Sequence, residues 1–390
     1  GEVAEWLKAH AWKACLLQKG NPGSNPGLSA TEAASVFTLA FSWPQKQSSI
    51  GCGGDGSVLH PGEFFEQKAP RIFQCMLRRH FIKGSAVVGA AAATPHWLRA
   101  ASGMWSEGGE RKVAQVLECQ RTMVQNVPVL RGFAGDHTDL VSPFVMLDEF
   151  GPLQIDPGTL GMDIKAHPHA GVAPTTYLLS GSGRHTDSLD NDLIYREGQF
   201  MVFSSGRGAI HEEVSSMEIR RDGGIVHGFQ IWLNLPAAHK FSDPITTLRD
   251  KSDFPIVETE DYRVKVVMGE ALGASSPTAL HSPAFYYHIH IEAGGRLDLP
   301  VDPQHNAFLH MIEGNLEVEG QRELKKQQLA LYHRGGDLLR FYSGVGAEFL
   351  VLGGQPLGEP VVSYGPFVMN NRAQIQRCIA DYQAGRMGEL

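Results

Sequence analysis

Tyr195-Arg196-Glu197-Gly198-Gln199-Phe200-Met201-Val202-Phe203-Ser204-Ser205-Gly206-Arg207-Gly208-Ala209 is an apolar run closed at both ends by turn residues. It recurs in altered form as His333-Arg334-Gly335-Gly336-Asp337-Leu338-Leu339-Arg340-Phe341-Tyr342-Ser343-Gly344-Val345-Gly346-Ala347. Upstream of each copy lies a second echo, Tyr177-Leu178-Leu179-Ser180-Gly181 against His310-Met311-Ile312-Glu313-Gly314. Short runs of β-branched and aromatic residues between Gly, Pro, Asn and Asp read as strands of a sandwich or barrel. Two such units in one chain imply a duplicated all-β domain.

The same texture extends outward from Arg111 to the end. Thr175-Thr176-Tyr177-Leu178-Leu179, Phe229-Gln230-Ile231-Trp232-Leu233 and Phe285-Tyr286-Tyr287-His288-Ile289-His290-Ile291 are further strand candidates. A helical period is clear only at Ala373 to Tyr382. There Ile375, Cys378, Ile379 and Tyr382 share one face, predicting a short terminal helix.

Within the first copy lie two polar pairs, His167-Pro168-His169 and His211-Glu212-Glu213. Residues i and i+2 of a strand point to one face. His167 and His169 therefore look into one space, as do His211 and Glu213. Pro168 stiffens the first pair, and Gly206 and Gly208 allow the turn that precedes the second. Three neutral imidazoles and a carboxylate suit Fe, Mn, Ni, Cu or Zn, and the spacing does not choose among them. The repeat supplies an internal control, because Phe349 stands opposite His211 and Val351 opposite Glu213. The polar residues are thus not a requirement of the fold.

Other polar residues carry weaker signals. His185 and Asp187 share a face, and they are either partners that orient a ligand imidazole or ordinary strand-end residues, the latter being the default. Asp148 and Glu149 follow an apolar strand and read as solvated or turn-binding carboxylates. His288 and His290 lack a partner pair and read as core or surface residues. Tyr177, Phe203 and Trp232 could flank a flat aromatic ligand, although core packing is the simpler fate of each.

The motifs His-Pro-His-x-Gly and Gly-x-Gly-x-x-His-x-Glu together resemble those of the pirin family, a bicupin group, and residues 167–171 and 206–213 keep both. Pro143 to Phe150, His185-Thr186-Asp187-Ser188, Gly353-Gly354-Gln355-Pro356-Leu357 and Gly365-Pro366-Phe367-Val368-Met369-Asn370 resemble further segments of that family. The resemblance covers about Arg111 to Leu390. It implies two tandem cupin barrels (double-stranded β-helix, jelly-roll) with a short C-terminal helix. A metal-binding cupin would span residues 111–240, and a cupin without metal residues 241–390. It also implies that His167, His169, His211 and Glu213 ligate one divalent transition metal, iron first and Mn, Ni, Cu, Co or Zn behind it. The implied activity is that of a flavonol (quercetin) 2,3-dioxygenase acting on a small aromatic substrate and O₂, with Glu213 as catalytic base. The alternative is a non-enzymatic, metal-dependent regulator of a protein partner. Family members commonly carry Arg and Glu just after His-Pro-His, where this chain has Ala170 and Ala173, followed by Pro174. That departure bears on substrate and rate rather than on the metal.

The whole composition adds mainly exclusions. The chain has 390 residues, a net charge of −8 with both signs dispersed, and no basic patch for nucleic acid. No apolar run approaches the roughly 20 residues that span a bilayer. Five cysteines, far apart, do not make a disulfide framework or a thiolate metal site. Residues 1–110 read as an atypical segment, disordered or not native to the protein. Within them, Arg78-Arg79-His80-Phe81-Ile82-Lys83 and an Ala-rich run to Ala93 resemble a twin-arginine export signal over residues 76–93. The family resemblance implies a cytoplasmic protein, whereas translation from Met76 would make it periplasmic.

Overall fold

The computed structural model describes residues 109–319 and 322–390, so the twin-arginine-like segment lies outside the described residues. Strands follow one another closely: β1 (Val113–Glu118), β2 (Gln120–Val124), β3 (Val127–Ala134), β4 (Phe144–Ile155), β5 (Asp163–His169) and β6 (Val172–Ser180). Next come β7 (Ser182–Asp187), β8 (Asp192–Arg196), β9 (Phe200–Ser204), β10 (Ala209–Ser215), β11 (Gly224–Asn234) and β12 (Ile245–Arg249). Seven of them form an antiparallel sheet in the order β12-β9-β6-β11-β4-β3-β2, and β5-β10-β7-β8 form a second sheet. Thr176 on β6 donates a hydrogen bond to Glu213 on β10, so the two sheets face each other and close a barrel. The expected all-β, twice-repeated architecture holds.

β1 leaves this barrel. It pairs antiparallel with Gln328–Tyr332 and so joins the ten-stranded sheet of the second half. That half has an apolar interior of Ile289, Leu309, Met311, Phe349 and Val351, among others. Phe349 and Val351, the counterparts of His211 and Glu213, are fully buried in it. The second barrel is therefore filled with side chains where the first holds polar groups.

The two halves share a core because strands of the first sheet are buried on both faces. Along β11, Phe229 and Ile231 pack toward Tyr286, Phe308, Leu350 and Leu352 of the second half, while Gln230 and Trp232 turn into the first barrel. Tyr177 follows the same rule. Its neighbour Thr176 faces the barrel interior, whereas the Tyr177 hydroxyl donates to His288 Nδ1 (3.0 Å), whose Nε2 meets Glu348 (2.8 Å). Tyr177 thus belongs to the seam between the halves and does not flank the cavity.

Asp148 and Glu149 are not the solvated pair expected from their sequence position, since each is only 2% exposed. Strand alternation sends Asp148 into the first barrel and Glu149 into the seam. There Glu149 accepts from His227 Nε2 and His310 Nε2, each at 2.8 Å, and so ties both halves together. Burial alone would raise its carboxyl, but the two imidazole hydrogen bonds outweigh burial and hold it down to about 2. A depressed folded value contributes stability above the unfolded value of about 4.3, and that contribution fades as pH falls through the folded one. Glu149→Gln should therefore lower the urea midpoint near neutral pH. The gap from the wild type should narrow as pH drops from about 4.5 toward about 2.

The terminal helix forms at Arg372–Gln383, capped by the Asn371 side chain accepting from the Gln374 amide at 3.0 Å. Its apolar face docks on Ala170, Ile210, Phe367 and Met369, beside the first barrel's polar cluster.

Candidate metal centre

Cross-strand register assembles the centre. His211 on β10 pairs with His167 on β5 on one side and with Asp187 on β7 on the other, while Glu213 pairs with His185. Five side chains from three adjacent strands therefore converge, and all are buried. Ligand atoms of His167, His169 and His211 lie within 4.8 Å of one another, and so do those of His185, His211 and Glu213. The four residues expected from sequence thus meet as two overlapping groups that share His211. His185 and Asp187 belong to the centre and are not strand-end decoration.

With the three rings neutral, the hydrogen bonds assign the ring nitrogen that carries each proton. The Asp187 carboxylate can only accept, so His185 Nε2–H donates to it (3.0 Å) and His185 Nδ1 is left as acceptor. His211 Nδ1–H then donates to His185 Nδ1 at 3.4 Å, leaving a lone pair on His211 Nε2. His167 Nδ1–H donates to the Lys165 carbonyl (2.8 Å), leaving a lone pair on His167 Nε2. In neutral rings those two lone pairs face each other at 3.1 Å. Two bonds of about 2.0–2.1 Å at a right angle to one ion place their donor nitrogens about 3 Å apart. His169 adds a buried Nδ1 with no hydrogen-bond partner. The residues present therefore fit a single small cation.

Electrostatics agree with that donor set. Burial, followed by the neighbouring imidazoles, pushes His169 and His211 well below the usual histidine range, so both rings are neutral donors at pH 7. Burial pushes the Glu213 carboxyl up, against hydrogen bonds from Thr176 Oγ1 and Gln230 Nε2, both at 2.9 Å. For Asp187, burial is outweighed by donors from His185, Thr246, Asn191 and the Leu189 amide, which hold it well below the usual carboxylate range. Phe203 stacks on His211 at 4.5 Å, and Trp232 meets the His169 ring edge-on at 4.7 Å. Phe203 therefore supports a candidate ligand, and Trp232 lines the cavity.

The cluster opens onto a cavity of about 250 Å³. Its walls are mainly apolar, from Val127, Val129, Phe150, Met162 and Ile164 on one side to Pro366 and Val368 of the C-terminal segment on another. That segment lies against Gly171, where φ is +75° and a Cβ would stand 2.1 Å from the Val368 carbonyl. The glycine of His167-Pro168-His169-Ala170-Gly171 thus admits the segment that closes the site. Lys240, fully buried, pins the same contact by donating to the carbonyls of Gly171 and Val368, each at 2.8 Å, and to Asn234 Oδ1.

Thr176, Gln230 and the ion pair of Arg131 with Asp148 were not singled out from sequence. Thr176 and Gln230 are the cavity-facing members of apolar strands, so a polar residue recurring at a core position was the available signal.

Fold and site define a bicupin whose first barrel holds a buried histidine–carboxylate cluster able to bind a metal ion. The pirin family model matches residues 123–233, and the model of the pirin C-terminal cupin domain matches residues 286–388. A twin-arginine translocation signal model matches residues 78–95. A Pseudomonas aeruginosa protein with a provisional name as a quercetin 2,3-dioxygenase is 34% identical over 66% of this chain and 91% of its own. A pirin-like protein of Caulobacter vibrioides is 31% identical over 70% of this chain and 93% of its own. The crystal structure of a quercetin 2,3-dioxygenase from Acinetobacter baumannii superimposes with a TM-score of 0.70 at 28% identity, over 72% of this chain and 99% of that one. The chain belongs to the pirin family.

The tautomer chain makes a prediction. Asp187→Ala removes the acceptor that orients His185 and, through it, His211. Metal affinity measured by chelator competition should fall about 10- to 100-fold with every candidate ligand intact.

Proposed function

We propose that the protein is a mononuclear metal dioxygenase of the flavonol 2,3-dioxygenase type, opening a flavonol with O₂ and releasing carbon monoxide. In this reading His167, His169, His211 and Glu213 hold one divalent transition metal, with iron the first choice. Residues 111–240 carry the site, and residues 241–390 support it with β1 lent to their sheet. The supporting observation is the coincidence of the cluster with a mainly apolar cavity sized for one small molecule. A bound first-row ion supplies Lewis acidity toward a flavonol hydroxyl and a redox partner for O₂.

The chain's own groups do the rest. Glu213, made basic by burial, takes the hydroxyl proton, and Thr176 and Gln230 hold its two oxygens in place. Apolar walls and the C-terminal segment exclude water from the reacting face. Trp232, at the cavity wall beside His169, offers an aromatic contact to a flat ring. The twin-arginine match at residues 78–95 supports export of the folded, metal-loaded protein. N-terminal sequencing of the natural protein tests this: a start at Thr94 supports export, and a retained Met76 contradicts it.

Iron-loaded protein should consume O₂ with quercetin and release carbon monoxide. Glu213→Gln should lower kcat by about 10²- to 10⁴-fold. No O₂ uptake under conditions where an active flavonol-cleaving enzyme works would end the proposal.

A further inference from the structure

A polar row crosses the wall of the cavity. Arg131 on β3 pairs with Asp148 on β4, Asp148 with Gln230 on β11, and Gln230 with Thr176 on β6. All four line the cavity, and the row ends at Glu213 through the hydrogen bonds of Thr176 and Gln230. The rest of this wall is apolar, so the row provides two polar ends on an otherwise greasy surface. At the far end Arg131 spends Nε and Nη2 on the two oxygens of Asp148, at 2.8 and 2.5 Å. Its Nη1 has no hydrogen-bond partner among the described residues, and its side chain is 30% exposed. Two inter-strand steps separate Arg131 from Gln230, roughly 10 Å at about 4.8 Å each.

We infer that Arg131 is the distal anchor of the cavity and selects flat aromatic ligands carrying a hydroxyl on the ring remote from the metal cluster. The inference rests on the flavonol reading above and refines it. Asp148 fixes the guanidinium and cancels its charge locally. The open N–H therefore favours a neutral phenolic oxygen, while a carboxylate would also meet Asp148. A ligand of this kind places one oxygen at the cluster and a second at Arg131, two strands beyond Gln230, with its ring faces on the apolar walls. Arg131 is a specificity-determining residue in this account and takes no part in bond-making.

The test uses metal-loaded protein without O₂, with quenching of tryptophan fluorescence reporting binding. The probes are quercetin, hydroxylated on its distal ring, and galangin, which lacks those hydroxyls. Wild type should bind quercetin more tightly than galangin. Arg131→Met combined with Asp148→Asn, which leaves no buried unpaired charge, should weaken quercetin roughly 10- to 100-fold and leave galangin unchanged. Arg131→Lys should recover part of the difference, and under turnover KM should move while kcat holds. If wild type binds neither flavonol, the flavonol reading fails and this inference with it. If wild type binds both, and the variant binds both as before or loses both equally, the assignment of Arg131 is overturned while the flavonol reading stands.

Discussion

The centre depends on one constraint: His211 has ring neighbours on both sides and only one proton to give as a neutral ring. Asp187 settles where that proton goes. By accepting the hydrogen bond of His185 Nε2–H, it leaves the Nδ1 of a neutral His185 as an acceptor, and His211 then donates from Nδ1. Nε2 of His211 then faces Nε2 of His167 at 3.1 Å. Where both nitrogens carry lone pairs they repel at that separation in a low-dielectric interior, and a shared cation would turn the repulsion into two bonds. The asymmetry of the duplication follows. Among the described residues the second barrel has no such cluster, and Phe349 and Val351 occupy the matching positions within an apolar core.

Much of this was legible in the sequence because strand periodicity is simple. The i, i+2 pairs His167/His169 and His211/Glu213 had to share faces, and the repeat located them in one barrel only. The role of His185 and Asp187 was harder to see. The same periodicity paired them, but only the register of β7 against β10 sets Asp187 opposite His211. Asp148 and Glu149 were misjudged because an edge carboxylate and one buried between two sheets look alike in a single strand. The Arg131–Asp148–Gln230–Thr176 row draws on four strands and exists only once their register is known.

The site is also closed from a distance. The segment ending at Val368 arrives after the whole second barrel, and it is held at Gly171 by the Lys240 ammonium. Burial brings that lysine down to about 7, yet three carbonyl-type acceptors surround it. The terminal helix packs beside the same contact. The second half therefore does more than share a core. It delivers one wall of a cavity whose charged groups and candidate metal ligands all come from the first half.

The central claim is that the first barrel binds one metal ion through a cluster that the second barrel has exchanged for apolar residues. Elemental analysis of loaded wild type and of the double variant His211→Phe with Glu213→Val, which copies the second barrel, tests it most directly. The account predicts about one equivalent in the wild type and almost none in the variant, with the variant still cooperatively folded by circular dichroism. Less than about a tenth of an equivalent in the wild type, or undiminished metal in a folded variant, would contradict it.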